Sequence, residues 1–331
     1  MLSKLLAIAG NTFLETIRQP LYGIVLILTA FMMVMNVSLA AFTLYDDNLF
    51  LRDLGLSTLL ISGMFLAAFS ASGVLNREIE NKTVLTLISK PISRPVLVAG
   101  KFLGLISALT TAFYISTLVM LFVIRHKVLQ NTTDPWDMPV ILFGGGAVVL
   151  AVVVAGLGNY AYSWQFNSSA VLLVVPLLTA GYGLVSVIDR DWKLQVPHVG
   201  DAQLLAAVVL VLLMVWVITA VALTSSCKFG QIPTLVICFL ALAIGLCSDY
   251  VFGKPQFEGH SLWAQPSWTG MLAWIAYRMV PNLGIFWVAD AITAGKHVTP
   301  QYVLSACGYA AAFIVAILAI GLGIFQKREI G

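Results

Sequence analysis

Charged side chains are scarce in this sequence, so chemistry has to be sought where they gather. The densest gathering is Asn76 to Lys101, NREIENKTVLTLISKPISRPVLVAGK, with Glu78, Glu80, Lys82, Arg94 and Lys101 spaced by Thr83, Ser89 and Pro91. This is the longest and most polar of the chain's inner loops, and its mixed acids and bases could by themselves belong to a solvated loop whose charges set topology. Reactive groups elsewhere fail to assemble. His126, His198, His260 and His297 are scattered, without HExxH or an acid at ligand spacing. Cys227, Cys238, Cys247 and Cys307 show no CxxC and read as small apolar packing residues. No G-x-S-x-G nucleophile string occurs. ATP phosphates would need G-x-x-x-x-G-K-[ST], whereas Gly100-Lys101 is followed by Phe102. The chain is therefore expected to be no enzyme, to hold no cofactor or metal of its own, and to bind no nucleic acid.

The elements that must position the charged stretch are membrane spans. Of 331 residues, 60% are hydrophobic and 10% charged, against roughly 25% charged in soluble domains. A spanning helix needs about 20 apolar residues, because its backbone must satisfy itself in lipid. No charge lies between Arg18 and Asp46, between Asp53 and Arg77, or between Lys101 and Arg125. The uncharged stretch from Met138 to Ile188 holds two spans, divided by the polar cluster Tyr160 to Ser169. Further spans fit Ala202 to Ser226, Gln231 to Tyr250 and Gln301 to Phe325. The expectation is an all-α polytopic transmembrane bundle of about eight spans, a single domain over 1–331.

At the front, Leu2, Leu5, Leu6, Ala9, Phe13 and Ile17 recur at helical spacing, with Lys4, Asn11, Glu15 and Arg18 on the other side. Residues 1–20 read as an amphipathic helix on the membrane surface, retained and not cleaved, with Pro20 turning the chain into the first span. Toward the other end, the stretch 251–300 reads as an outer loop. Within it, Gly270 to Gly295 is apolar but carries Arg278, Pro281, Asn282 and Asp290, which predicts two short helices broken at Pro281 and dipping into the outer leaflet.

The bias of Lys and Arg in short loops sets orientation. With both termini in the cytoplasm of a multi-pass protein of the cell's inner (plasma) membrane, ten of the eighteen basic residues lie inside, five of them from Arg77 to Lys101. Trp136, Trp192, Trp263, Trp268, Trp274 and Trp287 then belong to outer loops, where indole rings settle at headgroup level.

On this topology Asn76 to Lys101 (76–101) is cytoplasmic. Glu78 and Glu80 are expected in the first turns of a short helix, where carboxylates complement the dipole, with Val84, Leu87 and Ile88 as its apolar face. Pro91 stops it, and Pro95 opens the next helix, which runs through Gly100 and Lys101 into the third span. The product is a stiff elbow below the membrane.

These residues resemble the permeases of ABC-2 type ATP-binding cassette transporters. That family's first long cytoplasmic loop reads acid, spacer, acid, two residues, threonine, an apolar run, then Ser-x-Pro-Ile-Ser-Arg and Gly-Lys. Here stand Glu78, Glu80, Thr83, then Ser89, Pro91, Ile92, Ser93, Arg94, Gly100 and Lys101. Phe13, Glu15, Arg18 and Pro20 are similar to the family's elbow helix, and Val280, Pro281, Asn282 and Asp290 to its outer helices. Family members commonly have six spans, so the expected eight are a departure.

The resemblance implies a coupling helix that docks on a separate ATPase, ATP and Mg on that partner, two ATPase copies, and a second permease copy or a sister permease in the same bilayer. It implies export. The alternative is a membrane anchor or force-transmitting subunit that makes the same ATPase contact and moves no substrate. An ion-coupled carrier is disfavoured, since the expected spans hold no ionisable residue near their middles.

Overall fold

The computed structural model describes residues 2–41, 47–80, 93–129, 135–196, 201–251 and 277–327. Helix α1 (Leu2–Arg18) is followed by α2 (Pro20–Ala40), α3 (Asp47–Glu80) and α4 (Arg94–His126). A single turn at Met138–Val140 and a π-helical segment, Ile141–Gly145, lead into α5 (Gly146–Tyr162). Then come α6 (Phe166–Val187), α7 (Ala202–Ser226), α8 (Gln231–Leu246) and, after short pieces, α9 (Pro300–Lys327). The fold is a polytopic helical bundle.

Seven stretches are long and apolar enough to cross a bilayer: α2, Asp47–Val74 of α3, α4, Met138–Tyr162, α6, α7 and Pro300–Phe325 of α9. The eighth expected span, Gln231 to Tyr250, falls short. Its helix α8 has 16 residues, about 24 Å at 1.5 Å per residue, against a hydrocarbon core of about 30 Å. The cause is local. Asp249 turns away to accept hydrogen bonds from Asn282 Nδ2 at 2.6 Å and the Tyr277 hydroxyl at 3.1 Å. A Cβ on Gly245 would come within 2.6 Å of Leu283 Cγ, so the short 3-10 turn Leu283–Phe286 already sits against the end of α8.

Burial ranks the spans. In α7 67% of the most apolar window is buried, in α9 only 17%. A helix apolar on every face belongs inside, and α7, with no charged residue and a dense run of Leu, Val and Ala, takes the centre against α3, α8 and α9. Helices α3 and α4 complete that core, while α2, α5, α6 and α9 expose much of their surface. The expected division of Met138 to Ile188 is met as a hairpin: α5 ends at Ser163 in the left-handed conformation (φ 55°), and α6 begins at Phe166.

Close backbone packing joins α1 to α4. Gly100, Gly104, Ala108 and Ala112 recur every fourth residue of α4, a stripe of small side chains that lets backbones meet. A Cβ on Gly104 would lie 2.5 Å from the Ala9 carbonyl oxygen and 3.0 Å from the Phe13 nitrogen; one on Gly100 would lie 2.8 Å from Ile8 Cγ2. One turn further, buried Tyr22 of α2 donates its hydroxyl proton to the Ala108 carbonyl at 2.7 Å.

This contact adds to the expected face of α1. Of that face Ile17 is buried, Leu5, Ala9 and Phe13 are half-buried, and Leu2 and Leu6 are exposed, while Thr12 and Thr16 are buried beside it. A glycine groove selects short side chains over leucines, and the Thr16 hydroxyl satisfies itself on the Thr12 carbonyl at 2.7 Å. The first helix is therefore packed onto α4, not merely laid on the lipid surface.

Replacing Gly104 by Val drives methyl groups into the α1 backbone, which no rotamer relieves. Thermal unfolding of the purified protein should show a loss of roughly 1–3 kcal/mol. Gly10→Ala, with open space around its new methyl, should be neutral or stabilising by up to about 1 kcal/mol.

Candidate functional site

Helices α3 and α4 flank the predicted docking loop, so their facing ends define what can be said of it. Glu78 and Glu80 stand in the last turn of α3 (Asp47–Glu80), not in the first turns of a separate helix. The reason is cooperativity: no Pro or Gly stands between Val74 and Glu80, and extending an existing helix is far cheaper than nucleating another. Lys82, Thr83, Ser89 and Pro91, with the expected apolar face Val84, Leu87 and Ile88, lie outside the described residues.

The far side of the loop follows expectation. Ser93 is the N-cap of α4 in extended conformation (φ −70°, ψ 138°), its carbonyl accepts from Val96 and Leu97 at 3.0 and 3.2 Å, and Pro95 occupies the first turn. Arg94 begins the helix and is exposed. A cation there opposes the helix dipole at a cost of about 0.3–1 kcal/mol, so local helix energetics do not account for it. Lys101, seven residues on, is only 4% exposed despite its charge.

Of the elbow residues, Phe13 is half-buried against the core, Glu15 lies partly buried in α1, and Arg18 closes that helix, exposed beside Trp164 and Gln165. Pro20 starts α2, where its missing N–H costs nothing. Gln19 between them is the joint. Its carbonyl accepts from Asn167 Nδ2 of α6 at 3.0 Å. Its amide packs where a Cβ on Gly73 of α3 would fall, 3.1 Å from Oε1. The elbow thus touches α3, α4 and α6 at once.

Of the predicted outer residues, Asn282 forms a buried joint, Pro281 is half-buried, and Arg278 and Asp290 are exposed. Asn282 is 5% exposed; besides its bond to Asp249, its N–H donates to the Tyr309 hydroxyl at 2.7 Å and its Oδ1 accepts from Gly284 N at 3.0 Å. Pro281 precedes it, Arg278 sits in the short helical stretch 277–279, and Asp290 opens the one-turn helix Ala289–Thr293. Residues 277–295 contain short pieces and no crossing helix, in line with the expected break at Pro281.

An ionic lock at the same end as the α4 C-terminus was invisible to sequence reasoning. Asp137 is completely buried; its Oδ2 lies 3.5 Å from Arg125 Nε and 3.4 Å from Arg190 Nε, and its Oδ1 accepts from Val140 N at 3.3 Å. Arg190 also donates to the His126 carbonyl at 2.5 Å, and Arg125 to that of Ile188 at 3.1 Å. Helices α4 and α6 and the start of the α5 segment are tied together there. Residues far apart in sequence meet only after the hairpin folds. Among the described residues no cluster of three or more His, Cys, Asp or Glu could hold a metal.

The sequence model of the ABC-2 family transporter protein matches residues 6–330. A comparison with curated proteins finds no match.

Asp137→Ala leaves two guanidinium groups facing a vacated, dry position. The loss should approach the low end of the roughly 3–5 kcal/mol typical of a broken buried pair, because both arginines keep some water. Differential scanning fluorimetry in detergent reads it, with Asp191→Ala as a control of little effect.

Proposed function

The chain belongs to the ABC-2 family of transporter proteins as a membrane-spanning subunit, and from that premise we propose that it is the permease of an exporter driven through the 76–101 loop by a separate ATPase. Membership implies an ABC ATPase as partner and a multi-pass place in the membrane. The finer reading has both termini and the loop in the cytoplasm, since Val298 N donates to Gln203 Oε1 at 2.7 Å and α9 therefore starts at the same end as α7, the short α8 and 277–295 together covering the return. It also has two ATPase copies carrying ATP and Mg, and a second copy of this chain or a sister permease.

The observation that carries it is mechanical. The loop hangs between α3 and α4, which are both core helices. The first turns of α4 are splinted to α1 through Gly100 and Gly104. A push delivered to such a loop meets two long rods, α3 of 34 and α4 of 33 residues, each about 50 Å at 1.5 Å per residue. A rod of that length carries displacement to the opposite end of the bundle. Glu78, Glu80, Lys82 and Arg94 supply charge complementarity for docking, with Thr83, Ser89, Pro91 and Lys101 shaping the loop. The four elbow residues, Phe13, Glu15, Arg18 and Pro20, brace its base.

A force-transmitting subunit without substrate would use the same contact, and reconstituted vesicles separate the two: ATP-dependent movement of a solute supports the permease, its absence the anchor. For the contact itself, Glu80→Lys should reduce ATPase co-purification and permease-stimulated ATP hydrolysis roughly tenfold, the equivalent of about 1.4 kcal/mol. Unchanged recruitment and coupled hydrolysis would overturn the role of the loop.

A further inference from the structure

Opposite the α1 end, a cleft of about 510 Å³ opens between the N-terminal turns of α3 and α7 and the C-terminal turns of α4 and α6. Its position follows from α4, which passes the α1 contact at Gly104 and reaches the cleft at Arg125, 21 residues or about 31 Å later. Two kinds of surface meet there. Arg52, Arg125 and Lys127 line it with three cationic groups, Arg52 paired with Asp201 and Arg125 backed by Asp137 and Asp189, so that Lys127 is the cation in excess. Ile124, Tyr182 and Val196 give it accessible apolar surface over the buried Leu121, Val185 and Leu204.

Two of the cations are incompletely satisfied. Arg52 Nη1 pairs with Asp201 Oδ2 at 2.8 Å, yet its buried Nε has no hydrogen-bond partner. Arg125 is by contrast engaged, facing Asp137 and Asp189 at 3.5 and 3.6 Å and donating to the Ile188 carbonyl at 3.1 Å, so that it fixes one edge of the cleft. Lys127 makes no ion pair among the described residues and is held at φ 61°, ψ 170°, as the C-cap of α4. A non-glycine residue in that region costs on the order of 1–3 kcal/mol and persists where something else fixes it. Helix α4 could end on Gly at that point at no such cost; Lys places a cation on the cleft instead.

We propose that this cleft binds an amphipathic anion, its phosphate or carboxylate head at Lys127 and Arg52 beside Arg125 and its apolar body along Ile124, Tyr182 and Val196. The head chemistry is common to an anionic lipid and to a soluble amphiphile, and competition distinguishes them. The site is independent of the coupling loop: Glu80→Lys should leave binding intact, so failure here and failure of the transport reading are separable.

The full chain in phosphatidylcholine nanodiscs is titrated calorimetrically with dodecyl phosphate, against empty discs. Saturable binding is expected, with no counterpart for dodecyltrimethylammonium, and inorganic phosphate should bind at least tenfold more weakly. Displacement by phosphatidylglycerol assigns the site to a lipid; persistence of dodecyl phosphate binding in its presence assigns it to a soluble amphiphile. Lys127→Gly is the decisive variant, since it removes the charge while relieving the backbone. Affinity should fall at least tenfold while the melting temperature holds or rises, a combination that a merely structural lysine would not produce. Equal binding of the cationic amphiphile, inorganic phosphate binding as tightly as dodecyl phosphate, or unchanged affinity in Lys127→Gly would each overturn the proposal.

Discussion

The contact between α1 and the glycines of α4 is the constraint on which the arrangement rests. In lipid there is little hydrophobic drive to press one helix on another, so association depends on how closely backbones approach. Gly100 and Gly104 remove the only atoms that would keep α1 away. Once α1 is seated, Gln19 and Tyr22 fall against α3, α6 and Ala108 without further adjustment. The elbow, the start of the first span and the base of the docking loop thereby become one body.

The other end of the bundle is organised by different physics. Small residues give way to paired charges: Asp137 with Arg125 and Arg190, and Arg52 with Asp201. These pairs reinforce helices that also meet closely there, Gly55 against Met120 and Gly181 against the Phe143 carbonyl. The two ends are joined by the same rods, α3 and α4, with the charge-free α7 packed along them. A bundle gripped tightly by shape at one end and by ion pairs at the other can change the second without dismantling the first.

Much of this was legible in the residues, and the misses have identifiable causes. The span Ala202 to Ser226 emerges with its expected limits as α7, because a charge-free run bounded by Asp201 and Lys228 leaves little choice. The hairpin at Tyr160 to Ser169 and the break at Pro281 follow from local polarity and proline geometry. Periodicity reports the apolar stripe of α1 but not how much of it a partner helix covers: Ile17 is buried while Leu2 and Leu6 stay exposed. The four-residue repeat Gly100, Gly104, Ala108, Ala112 was the readable signal for that partner. Glu78 and Glu80 were placed in a new helix because acids favour helix starts, a preference of tenths of a kcal/mol that an uninterrupted α3 overrides. Asp137 gave no sign of its partners, which are brought to it by the fold alone.

Helix α8 has a consequence for the surrounding solvent. Ile232, Val236, Phe239, Leu240 and Ile244 lie exposed along it, yet the helix is about 6 Å too short for an average hydrocarbon slab. Lipid against that flank must compress, at a fraction of a kcal/mol for each Å. A bilayer matched to α8 alone would be thinner on that side, its headgroups deeper than elsewhere around the perimeter.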